Sequence, residues 1–337
     1  MRTEPSARAA LRACAPPATL FFALAAASCS GANLTPSTAG APVHAAESAM
    51  RAMGSPTYDG CPVFTSTDKF YNKNVSGSPL DPNSAKYIAS LGNNQSWDFD
   101  TGEYLNTATN QTPVLPVQQD VPWHSEPPEP WLPSYLIEQG SDAHSFVLNT
   151  SSCKIFELYE TAYSNGKLSA YSGGHWNLRK NFVPLPAGQS SAVASGDSMF
   201  AGAVKYTEAA GGEIDHALFL IAPYNMLSQW SFVRPAASTD AIQYEGPGPM
   251  PMPYGAKLRL RANYPETGLG TQALAVVHAL KTYGAIVSDT GCCYKFVFMN
   301  DLSTPNDFDW NDLNKLRSIQ TTDWGVVKLG RILQVPH

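Results

Sequence analysis

Charge is scarce in this chain: Asp, Glu, Lys and Arg make up 15% of its 337 residues, and the net charge is −6. No basic stripe is present, which argues against a nucleic-acid surface. Beyond the N-terminal region no apolar run approaches the roughly 20 residues that span a bilayer as a helix. Several familiar catalytic signatures are missing too. There is no G-x-S-x-G elbow, H-E-x-x-H helix, P-loop or G-x-G-x-x-G after a strand, so lipase, metalloprotease and nucleotide-dependent readings lose their support. Only six cysteines occur, none in a C-x-x-C pair, which leaves no spacing for structural zinc. The sequence thus leads to no expected metal and no expected cofactor.

What is present begins with an export signal. Arg2, Arg8 and Arg12 precede an apolar run from Ala18 to Ala27 that is too short to cross a membrane. Residues 1–29 therefore read as a signal peptide. Its end, Ala26-Ala27-Ser28-Cys29, resembles the bacterial lipobox, in which the cysteine becomes the lipidated first residue. Ordinary cleavage after Ala27 is the alternative. Either way the expected location is outside the cytoplasm, as a secreted protein or a cell-surface or outer-membrane lipoprotein. A lipid anchor would be its only membrane contact.

Residues 30–57 are rich in Ala, Ser, Pro and Thr and read as a disordered tether, because they cannot bury enough surface to fold. The remainder, 58–337, suits a single β-rich domain whose first part, 58–140, is loop-rich and proline-rich. It holds Cys61, Cys153, Cys292 and Cys293, an even set that an oxidising compartment would pair. Cys61–Cys153 with a vicinal Cys292–Cys293 bridge is the first choice. Separate bonds from Cys292 and Cys293 to the other two are the alternative.

Hydrophobic patterning predicts strands around Phe146–Leu148, Ile155–Tyr159, Ala203–Tyr206, Glu213–Ala222, Lys257–Ala262 and Ala285–Ser288, and a last one around Gly325–Leu333. Helices are expected at Ser84–Leu91, Thr271–Tyr283, with Gly284 as its stop, and Asp309–Arg317. Many strands and few helices predict a mainly-β fold, a β-sandwich or jelly-roll-like body with one or two packed helices.

Polar residues at strand ends supply the candidate chemistry. His144, Glu157, His216 and Asp289 are the expected catalytic set, with Asp289 or Glu157 as acid/base. Arg259, Trp176 and Asp142 are the expected substrate-binding set. Paired carboxylates serve glycoside hydrolysis, and a histidine with an arginine serves proton abstraction beside a uronate. Each residue also has a plainer reading. A strand histidine can satisfy a core network, Glu157 and Arg259 can face solvent, Asp289 can form a turn, and Trp176 can simply fill space.

The chain also resembles a family of secreted, largely uncharacterised bacterial proteins. The matching stretches include Cys61-Pro62-Val63-Phe64, Asp142-Ala143-His144, Cys153-Lys154-Ile155-Phe156-Glu157-Leu158, Ile214-Asp215-His216-Ala217-Leu218, Gly255-Ala256-Lys257-Leu258-Arg259-Leu260 and Ala279-Leu280-Lys281-Thr282-Tyr283-Gly284, leading to Ser288-Asp289. Thr290-Gly291 and the Cys292-Cys293 pair depart from the family's usual Asn-Gly loop. The resemblance implies export and no particular activity. The residues themselves lead to three readings: a carbohydrate-active enzyme hydrolysing glycosidic bonds of an extracellular polysaccharide, a non-catalytic lipoprotein binding glycan or a partner, and a polysaccharide lyase.

Overall fold

The computed structural model describes residues 56–92, 95, 97–121, 127–241, 243–302 and 307–336. The expected signal, Cys29, nearly all of the tether, Trp123 and His124 lie outside the described residues. Strands dominate the chain and a few helices accompany them, as the sequence predicts.

Eleven strands share one long mixed sheet. They are β1 (Trp97–Asp100), β2 (Tyr104–Ala108), β3 (Ser145–Asn149), β4 (Lys154–Tyr159), β5 (Ser172–Asn177), β6 (Val204–Lys205), β7 (Leu218–Pro223), β8 (Lys257–Leu260), β9 (Ala285–Gly291), β10 (Tyr294–Asp301) and β11 (Trp324–Val326). Their order is β5-β4-β3-β2-β10-β7-β9-β8-β11, with β1 and β6 also paired to β10. Helices α1 (Ser84–Ser90), α2 (Met199–Gly202), α3 (Tyr206–Gly211), α4 (Thr271–Thr282) and α5 (Trp310–Leu313) complete the frame.

The middle of the sheet pairs in parallel, β7 with β9 and β10 with β1 and β2. Parallel neighbours need a crossover, and between β7 and β9 the chain passes through α4. Such strands are buried on both faces. Leu218, Leu220 and Ala222 point into a core shared with Ala273, Val276 and Leu280 of α4. The alternate residues Ala217, Phe219 and Ile221 enter a second core with Phe200 and Met299. Periodicity announces these strands, but it carries no record of their partners.

Helix α4 ends where expected. Gly284 has φ +78°, and a Cβ there would lie 2.4 Å from the carbonyl oxygen of Leu258, so only glycine fits. Several segments differ from expectation. The last strand, expected around Gly325–Leu333, forms only as Trp324–Val326 and Leu333–Gln334. The helix expected over Asp309–Arg317 is α-helical over Trp310–Leu313 and tightens to a 3-10 helix over Asn314–Ser318. The strand expected from Glu213 begins only at Leu218, which leaves His216 in the bend ahead of it. The strand expected over Ala203–Tyr206 shortens to β6, because Glu208 reaches back to the backbone N–H of Lys205 and starts α3.

Cys61 and Cys153 form the predicted disulfide, with Cα atoms 5.4 Å apart and 92 residues between them in sequence. Closing so long a loop contributes about 2–4 kcal/mol. The expected vicinal bridge is not formed. Cys292 and Cys293 stand as separate thiols in the β9–β10 turn, with their sulfur atoms 2.7 Å apart.

Candidate active site

Strand β9 carries buried Ile286 and Val287 outward to Asp289. A register shift against β7 pairs Leu220 with Val287 but Ile221 with Asp289, so Ser288 is skipped. Bulges of this kind re-aim side chains beside sites. Here Ser288 turns to donate to Asp197 at 2.8 Å, and Asp289 lines a pocket of about 410 Å³. That size falls within the range of small-molecule sites.

The pocket wall brings together Asp142, His144, Asp240 and Asp289 with Tyr159 and Tyr171. Hydroxyls of Ser172, Ser190, Ser191, Ser238, Thr239 and Thr290 fill much of the remaining lining. Tyr171 is 44% exposed, which leaves its ring available to a ligand.

Two carboxyl groups are tied to each other through Thr290. Asp289 Oδ1 accepts the N–H of Thr290 at 2.9 Å and of Ala194 at 3.4 Å. The Thr290 hydroxyl donates in turn to both oxygens of Asp240, at 3.1 and 3.0 Å. Asp240 Oδ1 also accepts the Tyr254 hydroxyl at 2.5 Å. Burial first, then the nearby charge of Asp240, pushes the Asp289 carboxyl up to about 7, against the opposing pull of His144 and the two N–H donors.

His144 is held from both sides. Its Nδ1 lies 2.7 Å from Glu138 Oε2, and its Nε2 lies 3.1 Å from the carbonyl oxygen of Ala192. Both partners accept, so both ring nitrogens donate and the ring is an imidazolium. Burial alone would lower its pKa. The hydrogen bond and charge of Glu138, with Asp289 and Glu103 behind them, outweigh burial and raise it to about 9. His144 thereby anchors the 192–194 backbone that donates to Asp289, and acts as a positioning group.

The other expected residues lie elsewhere. His216 is fully buried, its Nε2 3.3 Å from Glu208 Oε2 and its Nδ1 3.0 Å from the carbonyl oxygen of Ala217. Arg259 satisfies backbone carbonyls of the loop containing Val75, Ser76 and Ser78, at 2.7 Å from Ser76 and 2.9 Å from Ser78. Trp176 is buried and stacks on Phe182 with ring centroids 5.8 Å apart. The expected convergence of His144, His216, Arg259 and Asp289 therefore holds only for His144 and Asp289, with Asp142 beside them.

Glu157 is neither at the pocket wall nor in solvent. It is fully buried and accepts from the Ser198 hydroxyl at 2.5 Å and the Met199 N–H at 2.8 Å, capping α2. Asp240 and Glu138 went unpredicted. Asp240 closes the run Ser238-Thr239-Asp240, whose composition announces a loop and nothing more. Glu138 lies six residues before His144 in an irregular stretch, where spacing says nothing about contact.

Four carboxyls set a pH dependence, and one of them, buried Glu103, is pushed up to about 8 by burial and by the charges of Asp100 and Glu138. Burial pushes Glu157, Asp197 and Asp289 each up to about 7. A carboxyl whose folded pKa exceeds its unfolded value near 4 binds its proton more tightly in the fold. That stability is complete below about pH 4 and is lost as pH rises through about 7, and for Glu103 through about 8. Lys257, lowered by burial to about 7, acts in the opposite sense only above that pH. The melting temperature is thus expected to fall by several degrees between about pH 5 and about pH 7.5 at constant ionic strength. A melting temperature that rises across this interval would contradict the assignment.

No family model, curated protein or solved structure matches this chain.

Proposed function

We propose that this protein is an exported enzyme that hydrolyses glycosidic bonds of an extracellular polysaccharide in the pocket between Asp289 and Asp240. The observation that carries the proposal is the carboxyl pair itself. One member is shifted to about 7 and the other is tied to it through Thr290, whose N–H goes to Asp289 and whose hydroxyl goes to Asp240, in a pocket lined with hydroxyls and tyrosines. Glycoside hydrolysis needs one protonated and one ionised carboxyl across the scissile bond.

In the proposed reaction Asp289 gives its proton to the glycosidic oxygen as the bond to the anomeric carbon breaks. In an inverting enzyme Asp240 takes a proton from the water whose oxygen bonds that carbon; in a retaining one Asp240 first bonds the carbon, and the now ionised Asp289 takes the proton of the water that displaces Asp240. Solvent exchange then restores both groups. Tyr171 offers a face for the sugar ring, and the surrounding serines and threonines offer partners for its hydroxyls. The Cys61–Cys153 bridge supports an oxidising compartment and hence export.

A glycan-binding protein without turnover is the second reading, favoured by the same exposed Tyr171 and hydroxyl lining. The lyase reading is weaker, because no Arg or Lys lines the pocket among the described residues and Arg259 is engaged with backbone carbonyls. Incubating the protein with a panel of neutral and uronic polysaccharides separates the three. New reducing ends without an unsaturated sugar support hydrolysis. An ultraviolet-absorbing unsaturated end supports a lyase, and saturable binding without new ends supports the binding protein.

A further inference from the structure

Behind His144 lies a second group of acids that the proposed hydrolysis does not use. Asp100 ends β1, Glu103 stands just before β2, and Glu138 reaches over the turn between them. A carboxylate oxygen from each lies within 4.8 Å of the other two. Gly102 makes that approach feasible, since a Cβ there would sit only 3.2 Å from Glu138 Oε1.

Proximity of acids alone would not mark a site, but the state of Glu103 does. Its side chain is buried, with the residue 2% exposed, and its Oε2 has no hydrogen-bond partner. The available cations are directed at its neighbours. Lys295 Nζ lies 2.9 Å from Asp100 Oδ2, and the His144 ring holds Glu138 Oε2. No cationic side chain pairs with Glu103 among the described residues. A buried carboxylate with one oxygen unsatisfied is costly, and three carboxylates this close repel one another.

We propose that Asp100, Glu103 and Glu138 bind a divalent calcium ion that completes the coordination of Glu103 and braces Glu138 behind His144. The donors are all carboxylate oxygens, which suits a hard cation. Calcium tolerates irregular geometry, accepts mono- or bidentate carboxylates and fills its shell with water or backbone carbonyls. Asp100 and Glu138 are only half-buried, which leaves a side open to water ligands. Bound there, the ion would pin the β1–β2 connection to Glu138 and, through Glu138, fix His144 at the pocket.

The full chain, stripped with chelator and desalted, is titrated with calcium chloride in a calorimeter and in thermal melts, with magnesium chloride in parallel. Saturable one-site calcium binding is expected, with a rise of several degrees in melting temperature and a smaller response to magnesium. Glu103→Gln should fold and, without calcium, melt at or above the wild-type temperature, because it removes a buried charge. It should show at least a tenfold loss of calcium affinity, and Asp100→Asn should show a similar loss. A wild-type protein indifferent to calcium would overturn the proposal and leave Glu103 as a buried neutral acid. An equal response in Glu103→Gln would overturn it too, by placing the ion elsewhere. Neither readout uses turnover, so failure here is distinct from failure of the proposed hydrolysis.

Discussion

Asp289→Asn is expected to lower turnover by about 10²–10⁴-fold while the protein still folds, the usual span of a lost general acid. The amide oxygen can still accept the N–H groups of Thr290 and Ala194, so the local backbone keeps its bonds. The substitution also removes a carboxyl whose ionisation burial opposes, and the melting temperature near neutral pH should therefore hold or rise. Asp240→Asn should cost a comparable factor. The double variant should be little worse than either single one, because groups that act as a unit are non-additive. Steady-state rates with melting curves on the same preparations check this. A rate within a few fold of wild type for Asp289→Asn would remove it from the chemistry.

His216→Ala is expected to show the opposite pattern. Glu208 and Lys205 are buried beside His216, and the Lys205 ammonium is 3.9 Å from Glu208 Oε2, too far for a hydrogen bond. Burial would raise the Glu208 carboxyl, but Lys205 and His216 together pull it below its ordinary value. Its second oxygen, Oε1, has no hydrogen-bond partner. Removing the imidazole strands more of that charge in the core, and breaking a buried pair costs about 3–5 kcal/mol. In a chain of this size that lowers the melting temperature by on the order of 10 °C. Below its melting range the variant should turn over substrate like wild type. Loss of turnover at unchanged melting temperature would return His216 to the site.

The contrast between these residues shows where the sequence is informative. Asp289 is legible because the buried apolar run of β9 leads into it, although the strand itself continues to Gly291. Cys61–Cys153 is the pairing placed first, but the even count behind it also expects Cys292 and Cys293 to be bonded, and they are free; α4 is legible from its apolar stripe and Gly284. His216 misleads, because its apolar surroundings look like a strand interior while the strand starts two residues later. Arg259 misleads for another reason. Alternation correctly turns it away from the core side of β8, but capping of distant carbonyls leaves no mark on sequence spacing. Glu157 alternates with apolar neighbours and so resembles a solvent-facing residue, yet the chain of α2 closes over it. Asp240 and Glu138 belong to loops, and the contacts that make them interesting are made by the fold. The parallel pairing of β7 with β9 is of the same kind.

Whether sugar is cut between Asp289 and Asp240 can be read from a crystal structure of Asp289→Asn soaked with an oligosaccharide from a cleaved polysaccharide. The expected result is a glycosidic oxygen within hydrogen-bond reach of residue 289, the anomeric carbon turned toward Asp240, and a ring lying against Tyr171. A sugar bound on another face, or a vacant pocket at concentrations that saturate binding in solution, would contradict it.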